Sequence, residues 1–507
     1  MSLGPPPALP LVLTIDVGTS SARCALHDGT GQRLHGASSG YVPRLGADGA
    51  VELDPESMIA LVSALIDRTM IEAGALRSSI ACVASGGFWH SMVGVDRAGS
   101  ALTPVYLWRD ARSHHDAALL RRALDERAVH ARTGCVIHWS YLPAKLAWIR
   151  RTDRALFDRV DRWLSLPDLV LERFFGPGPT SISMASATGL FDQHRLDWDD
   201  EILAAVGLER SHLPPIAEDA IWRTGARPEL ARLWPELAAV PWLPPRGDGA
   251  LSSIGAGCAT RERAALMVGT SVAIRVLFRT PDLLIPWGVW GYRADAQRAC
   301  LGGALNDGGG LVAWMWRTLR LPEGAALEAA LAVQEPCAHG LDVLPLWGGE
   351  RSPGWASRAH GAIAGLGMHT TALDILRATL ESIAVRCAEV DAQLRIAVPE
   401  IRETVATGAA LLSSPTWQQN MADALGRPLI ASEEREASSR GAALVALELV
   451  GALPGGVEAA PRPGGRVVEP DPARHARYVE ARARQRELYR REIERAGADD
   501  RAGTGGP

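Results

Sequence analysis

The stretch LVLTIDVGTSSARCAL, residues 11–26, sets one aspartate and a short polar run between two apolar segments. The segments at 11–15 and 23–27 read as strands, with Gly18-Thr19-Ser20 as the turn that joins them into a hairpin. A turn rich in Gly, Thr and Ser can aim successive amide N–H groups and hydroxyls at an anion, which makes a phosphate cradle that needs no lysine. Asp16, at the end of the first strand, then stands where a carboxylate can hold Mg2+ through water, because magnesium takes oxygen ligands and keeps most of its hydration. Taken alone, the same pattern is also that of an ordinary hairpin turn.

The design returns in AALMVGTSVAIRVLF, residues 264–278: apolar run, Gly269-Thr270-Ser271, apolar run. Two such turns from two domains can grip one polyphosphate from both sides, which predicts a cleft that closes. Only the first copy carries an aspartate. A chain of 507 residues is too long for one ordinary core, so two domains of about 200 to 250 residues are expected, with a binding cleft between them. A further strand at 80–85 and helical spacing at 55–73 and 114–124 give the first half an α/β texture.

The break PWLPPRGDGALSSIGAGC, residues 241–258, places the boundary between a first domain of residues 1–246 and a second of residues 247–455. Residues 456–507 read as a linker, centred on PGGVEAAPRPGGRVVEPDP, then an Arg/Glu-rich C-terminal helix and a disordered tail, GADDRAGTGGP.

Composition narrows the partners. Charged residues at 22% and apolar residues at 47% are near globular averages, and a net charge of -5 gives no general pull toward nucleic acid or an anionic membrane. No apolar run reaches 18 residues, the N-terminus lacks a positive n-region, and seven scattered cysteines without a C-x-x-C pair fit reduced thiols in a cytoplasmic protein. Lys145 is the only lysine, and SYLPAKLAW lacks the glycines of a P-loop. Phosphate chemistry here must therefore use amides, hydroxyls, arginine and metal.

Asp16-Val-Gly-Thr-Ser, the lone Asp248 in GDGALSSIG, Gly269-Thr-Ser and ATGAALLSSPTWQQNMADALGRPL (406–429) together resemble the FGGY carbohydrate kinases, members of the actin-like ATPase superfamily. GAIAGLGMHTTALDILRATLE (361–381) is similar to the family's second signature, and GGFWHSMVGVDRAGSALTPVYLWRDAR (86–112) and PLWGGERSPGW (345–355) stand in the expected places. The likeness runs from about residue 11 to 449. It implies an α/β chain of two actin-like (ribonuclease H-like) ATPase domains of related topology, with ATP and Mg2+ in the cleft.

The resemblance also implies roles. Asp248 becomes the general base for the sugar hydroxyl, ionised with the help of a following helix N-terminus; without the resemblance it is as readily an N-cap. Gly18, Thr19, Ser20, Gly269 and Thr270 serve the phosphates, Asp16 the metal, and Gly408 and Ala409 the adenosine, Ala409 standing where relatives often have a second glycine. In FWH, Trp89 packs on the sugar's C–H face and His90 donates to a hydroxyl. In WRDAR, Asp110 accepts from a hydroxyl and Arg112 is its ion partner or a substrate contact.

SGGFWHS (85–91) with RTGCVIHWSYLPAKLAW (132–148) looks most like the gluconate kinase branch, where a sugar acid needs a cation from His138, Arg112 or Lys145. A ketopentose such as xylulose is the runner-up, and a catalytically silent sugar- or nucleotide-binding regulator is the reading from another class. The tryptophans serve either the core or a homodimer interface.

Overall fold

The computed structural model describes residues 7–217, 225–356 and 358–495. Strand Leu11–Val17 is buried along its whole length, as a strand covered on both faces of a sheet must be. It pairs antiparallel with Ser21–His27 and parallel with Ile80–Gly87. Arg33–Gly40 and Arg246–Gly247 close the two edges of this five-stranded sheet.

The second sheet repeats that order. Arg263–Val268 pairs antiparallel with Val272–Arg279, which pairs with Arg298–Leu305; on its other side it runs parallel to Glu403–Thr407, itself parallel to Leu429–Ser432. The short Gly-Thr-Ser repeat in the sequence is thus one topology used twice, the two-domain actin-like fold. Two added edge strands, Trp290–Arg293 and Gly465–Val468, widen the second sheet to seven.

Gly465–Val468 corrects the linker reading of residues 456–471. It pairs antiparallel with Leu429–Ser432, and upstream of it Glu458 accepts from Arg298 and Arg279 while Val457 is buried. An edge strand needs only backbone hydrogen bonds on one side, so a stretch flanked by Pro and Gly can form it without an apolar alternation. The expected C-terminal helix is Pro472–Tyr489, capped by Asp471 and seated through Tyr478, Gln485 and Leu488. The tail at 497–507 lies outside the described residues.

Two helices join the halves. Asp248–Gly255 contacts Val272–Arg279 of the second sheet, and Ala437–Leu449 lies on Leu11–Val17 and Ile80–Gly87 of the first. They cross so closely that a Cβ on Gly255 would sit 1.8 Å from the Ala437 carbonyl oxygen, and one on Gly441 1.9 Å from that of Leu251. Thr14 Oγ1 and Ser439 Oγ, 2.7 Å apart, tie the second helix to the first strand.

The tryptophans divide. Trp163, Trp242 and Trp417 are core, whereas Trp314 and Trp316 are exposed on Gly309–Thr318. No helix among the described residues is long and apolar enough to cross a membrane.

Candidate active site

Strand register assembles the site. Asp16 lies opposite Gly86, and Gly86 opposite Arg246; one step on, Val17, Gly87 and Gly247 form the next row. These three strands are parallel, so Gly18, Phe88 and Asp248 leave the sheet together at its carboxyl edge, where ligands of open α/β sheets bind. Asp16 and Asp248 are brought two strands apart, close enough for the charge on Asp248 to act on Asp16.

Asp16 is 3% exposed. Its Oδ2 lies 3.4 Å from Arg23 Nη1, and its Oδ1 is buried with no hydrogen-bond partner. Burial, and then the charge of Asp248, push its pKa up to about 7 against the pull of Arg23. An orphaned carboxylate oxygen suits a hard cation. No group of three or more His, Cys, Asp or Glu among the described residues could hold a metal ion.

Asp248 opens the helix Asp248–Gly255. The Gly249 amide and the nearby Arg275 favour its ionised form, but burial outweighs them and raises its pKa to about 6. The net effect is opposite to that expected from a helix N-terminus alone, because the dipole acts on a group already withdrawn from water.

Trp89 does not offer a free face to a sugar. It is 6% exposed, its indole N–H donates to the Ser183 carbonyl at 3.0 Å, and Tyr292 and Trp290 meet it edge-on at 5.0 and 6.0 Å. A Cβ on Gly247 would lie 1.8 Å from its Nε1, and one on Gly249 2.3 Å from its Cζ3. Trp89 is the surface on which the Asp248 turn is laid, and the flanking glycines let the backbone come so near.

His90 is held at φ 63°, a left-handed conformation uncommon outside glycine. Its Nδ1 lies 2.6 Å from the Ala187 carbonyl oxygen, and burial lowers its pKa to about 3. A neutral ring bonded to a carbonyl through Nδ1 carries its proton there, leaving Nε2 to accept. Toward a hydroxyl, His90 Nε2 can therefore only accept a hydrogen bond, the reverse of the donor role expected from the sequence.

Asp110 is spent within the protein. Its Oδ1 accepts from the Arg112 amide (3.2 Å) and Nε (3.1 Å), and its Oδ2 from the Val51 amide (3.1 Å) and Arg112 Nη2 (2.6 Å). Four bonds fill a carboxylate, which corrects its assignment as a hydroxyl acceptor. Arg112 is its ion partner, bonds Glu52 as well, and lies 4.5 Å over the Trp148 ring. Lys145 is 1% exposed, donates to the carbonyls of Asp110 (3.0 Å) and Trp139 (2.6 Å), and has its pKa lowered by burial to about 7. His138, 2% exposed, is bonded through Nδ1 to Ser140 and kept neutral by burial. All three are bonded within the protein.

The second domain supplies backbone. Gly269 is half-buried and Thr270 exposed at their turn, as Gly18, Thr19 and Ser20 are half-buried to exposed at theirs. Gly408 sits at φ 93°, where a Cβ would lie 2.4 Å from the Val268 carbonyl oxygen, and Ala409 beside it is exposed. Sequence reasoning missed the run Gly308-Gly309-Gly310, whose amides at 309 and 310 donate to the carbonyls of Gly269 (2.8 Å) and Thr270 (3.0 Å). Three glycines opening a helix, Gly309–Thr318, were the available signal. It missed Arg275 too, a charge in the middle of the apolar strand VAIRVLFR, which otherwise has only its terminal Arg279.

Solved structures with this architecture include a gluconate kinase from Lactobacillus acidophilus (TM-score 0.86, 24% identity, covering 94% of this chain and 97% of that one). A ligand-bound xylulose kinase from the same organism has a TM-score of 0.87 at 24% identity, with 95% and 98% covered. The chain shares their two-domain fold. Profiles of the N-terminal and C-terminal domains of the FGGY family of carbohydrate kinases match residues 11–255 and 264–448, and the chain belongs to that family; it is a phosphotransferase. Among curated relatives, a gluconokinase of Bacillus subtilis (strain 168) is 26% identical, with 87% of this chain and 88% of that one covered. A glycerol kinase of Stenotrophomonas maltophilia (strain R551-3) is 29% identical, with 87% and 90% covered.

Proposed function

We propose that the protein transfers the γ-phosphate of MgATP to a hydroxyl of a small sugar acid, D-gluconate, with Asp248 as the general base. The observation that carries this reading is the pair Asp16 and Asp248 at the carboxyl edge of two parallel strands that flank Ile80–Gly87, one with an orphaned oxygen and one beside Arg275. A carboxylate with a pKa of about 6 is ionised at neutral pH yet basic enough to take a proton as the phosphoryl group arrives. His90 Nε2 accepts from another hydroxyl and orients the sugar.

Gly18, Thr19, Ser20, Gly269 and Thr270 present amides and hydroxyls to the phosphates, and Gly408 and Ala409 leave room for the adenosine. Asp16 would hold Mg2+, which neutralises charge on the phosphate oxygens. Closure of the cleft about the crossing helices excludes water, so that the sugar and not water takes the phosphoryl group. Gluconate is favoured by the likeness to the gluconokinase of Bacillus subtilis over 87% of the chain. Xylulose is the second reading, favoured by the likeness to the ligand-bound xylulose kinase.

The test is the initial rate of ADP formation with MgATP against gluconate, xylulose, ribulose, glycerol and no sugar. The expected result is one strong response, to gluconate. A response only to xylulose would replace the substrate, and a flat panel would point to an untested polyol or, if sugar binding were also absent, to a silent regulator.

A further inference from the structure

With Arg112, Lys145 and His138 each bonded within the protein, two cleft guanidinium groups keep bonds to spare: Arg275, beside Asp248, and Arg351. Arg351, in the loop GGERSPGW of the second domain, has one hydrogen bond, from Nη2 to the Leu305 carbonyl at 3.3 Å, and its Nε is buried with no partner. Other arginines here are better paired: Arg427 is bidentate to Asp391 at 2.6 Å, Arg377 bonds Glu381, and Arg386 bonds Glu350 although its Nε too lacks a partner. A buried guanidinium left with open N–H groups costs free energy unless a ligand completes it.

Its surroundings place it on the sugar side of the cleft. The guanidinium carbon lies 4.7 Å over the ring of Trp108, in the WRDAR segment of the first domain. Tyr141, Tyr292, Arg275 and Arg109 act on its charge, and its own charge reaches His90. Tyr141 and Tyr292, joined through their hydroxyls at 2.8 Å, are the aromatic groups packed edge-on against His90. Arg275 is instead the cation beside Asp248, where the reacting hydroxyl must lie. Two positive charges thus mark two ends of the substrate.

We infer that Arg351 is the specificity-determining residue that receives the carboxylate of a sugar-acid substrate, its planar N–H fork meeting the C1 carboxylate while the far hydroxyl faces Asp248. This rests on the kinase reading above and names the group that selects an acid over a neutral polyol. A guanidinium offers a carboxylate two parallel charge-assisted bonds, and an alcohol in its place leaves the buried charge unpaired. The arrangement also crosses the cleft: Arg351 comes from the second domain and His90 and Trp108 from the first, so an acid bound between them favours the closed form.

The experiment compares D-gluconate with D-glucitol, the neutral polyol of equal length, in the full-length protein and in Arg351→Gln and Arg351→Lys. Binding is read by calorimetry without nucleotide and turnover by ADP formation with MgATP. Wild type is expected to prefer gluconate, Arg351→Gln to weaken gluconate about 30- to 100-fold while glucitol changes less than about threefold, and Arg351→Lys to recover part of the loss. KM for MgATP should not move, and unfolding midpoints identify any variant that has lost its fold. In that case the gluconate-to-glucitol binding ratio of wild type decides alone, and a ratio near one overturns the inference.

Equal losses for acid and polyol overturn it, as does a loss confined to kcat, which would assign Arg351 to the phosphoryl group instead. A wild type that binds gluconate through Arg351 but forms no ADP with any sugar removes the kinase reading and keeps this one.

Discussion

The two Gly-Thr-Ser hairpins share topology but not turn length, with four residues between the paired Val17 and Ala22 and three between Val268 and Val272, and they are braced and armed differently. Two residues before its glycine, the first carries Asp16 and the second Met267. The first turn is pinned by the Tyr41 phenol donating to the Gly18 carbonyl, a side chain that also feels Asp16 and Asp248. The second is pinned by backbone, the Gly309 and Gly310 amides donating to Gly269 and Thr270. Duplication thus supplies both walls of the cleft with the same anion-facing backbone. In the proposed function a single side chain, Asp16, assigns the metal to the first wall and leaves the second to phosphate and adenosine.

The largest expected effect breaks the acidic side. Asp248→Asn should lower kcat by about a hundredfold or more while gluconate binding, measured by calorimetry, stays nearly intact. Near-normal turnover would remove the base from this wall. Asp16→Ala should raise the Mg2+ concentration for half-maximal rate by about 10- to 100-fold, and an unchanged titration would make the two hairpins equivalent.

Acidity gives a third test. Asp248 must be ionised to act and its pKa lies near 6, so at saturating Mg2+, which would keep Asp16 ionised, kcat/KM should be flat above that value and fall about tenfold for each pH unit below it. A limb at the ordinary carboxylate value near pH 4 would mean that burial does not control this group.

On the second wall, Gly408→Ala puts a Cβ 2.4 Å from the Val268 carbonyl oxygen at φ 93° and should cost about 1–3 kcal/mol, read as a lowered unfolding midpoint with weaker MgATP binding. The smallest effect sharpens the boundary between the walls. Arg275→Gln removes the cation that favours the ionised Asp248, so the acid limb should move to higher pH, and an unmoved limb would detach Arg275 from the base.

The sequence by itself determined the duplicated α/β fold and the backbone of the site. Apolar runs around Gly-Thr-Ser specify a hairpin wherever they occur, and Asp16, Asp248 and the glycines lie in short local patterns whose geometry follows from the chain alone. Helix 55–73 and the strands beginning at residues 11 and 80 were legible for the same reason, since periodicity is a local property. Only the tertiary structure decided which side chains remain available to a substrate.

Asp110 looked like a hydroxyl acceptor until Val51, 59 positions away, and Arg112 were found to fill it. Lys145 looked like a free cation until two carbonyls closed over it. Trp89 looked like a sugar platform until Gly247 and Gly249 were laid against it. Arg351 offered no sequence signal beyond its loop, because being unpaired is a property of everything packed around a group and not of the residues beside it in the chain.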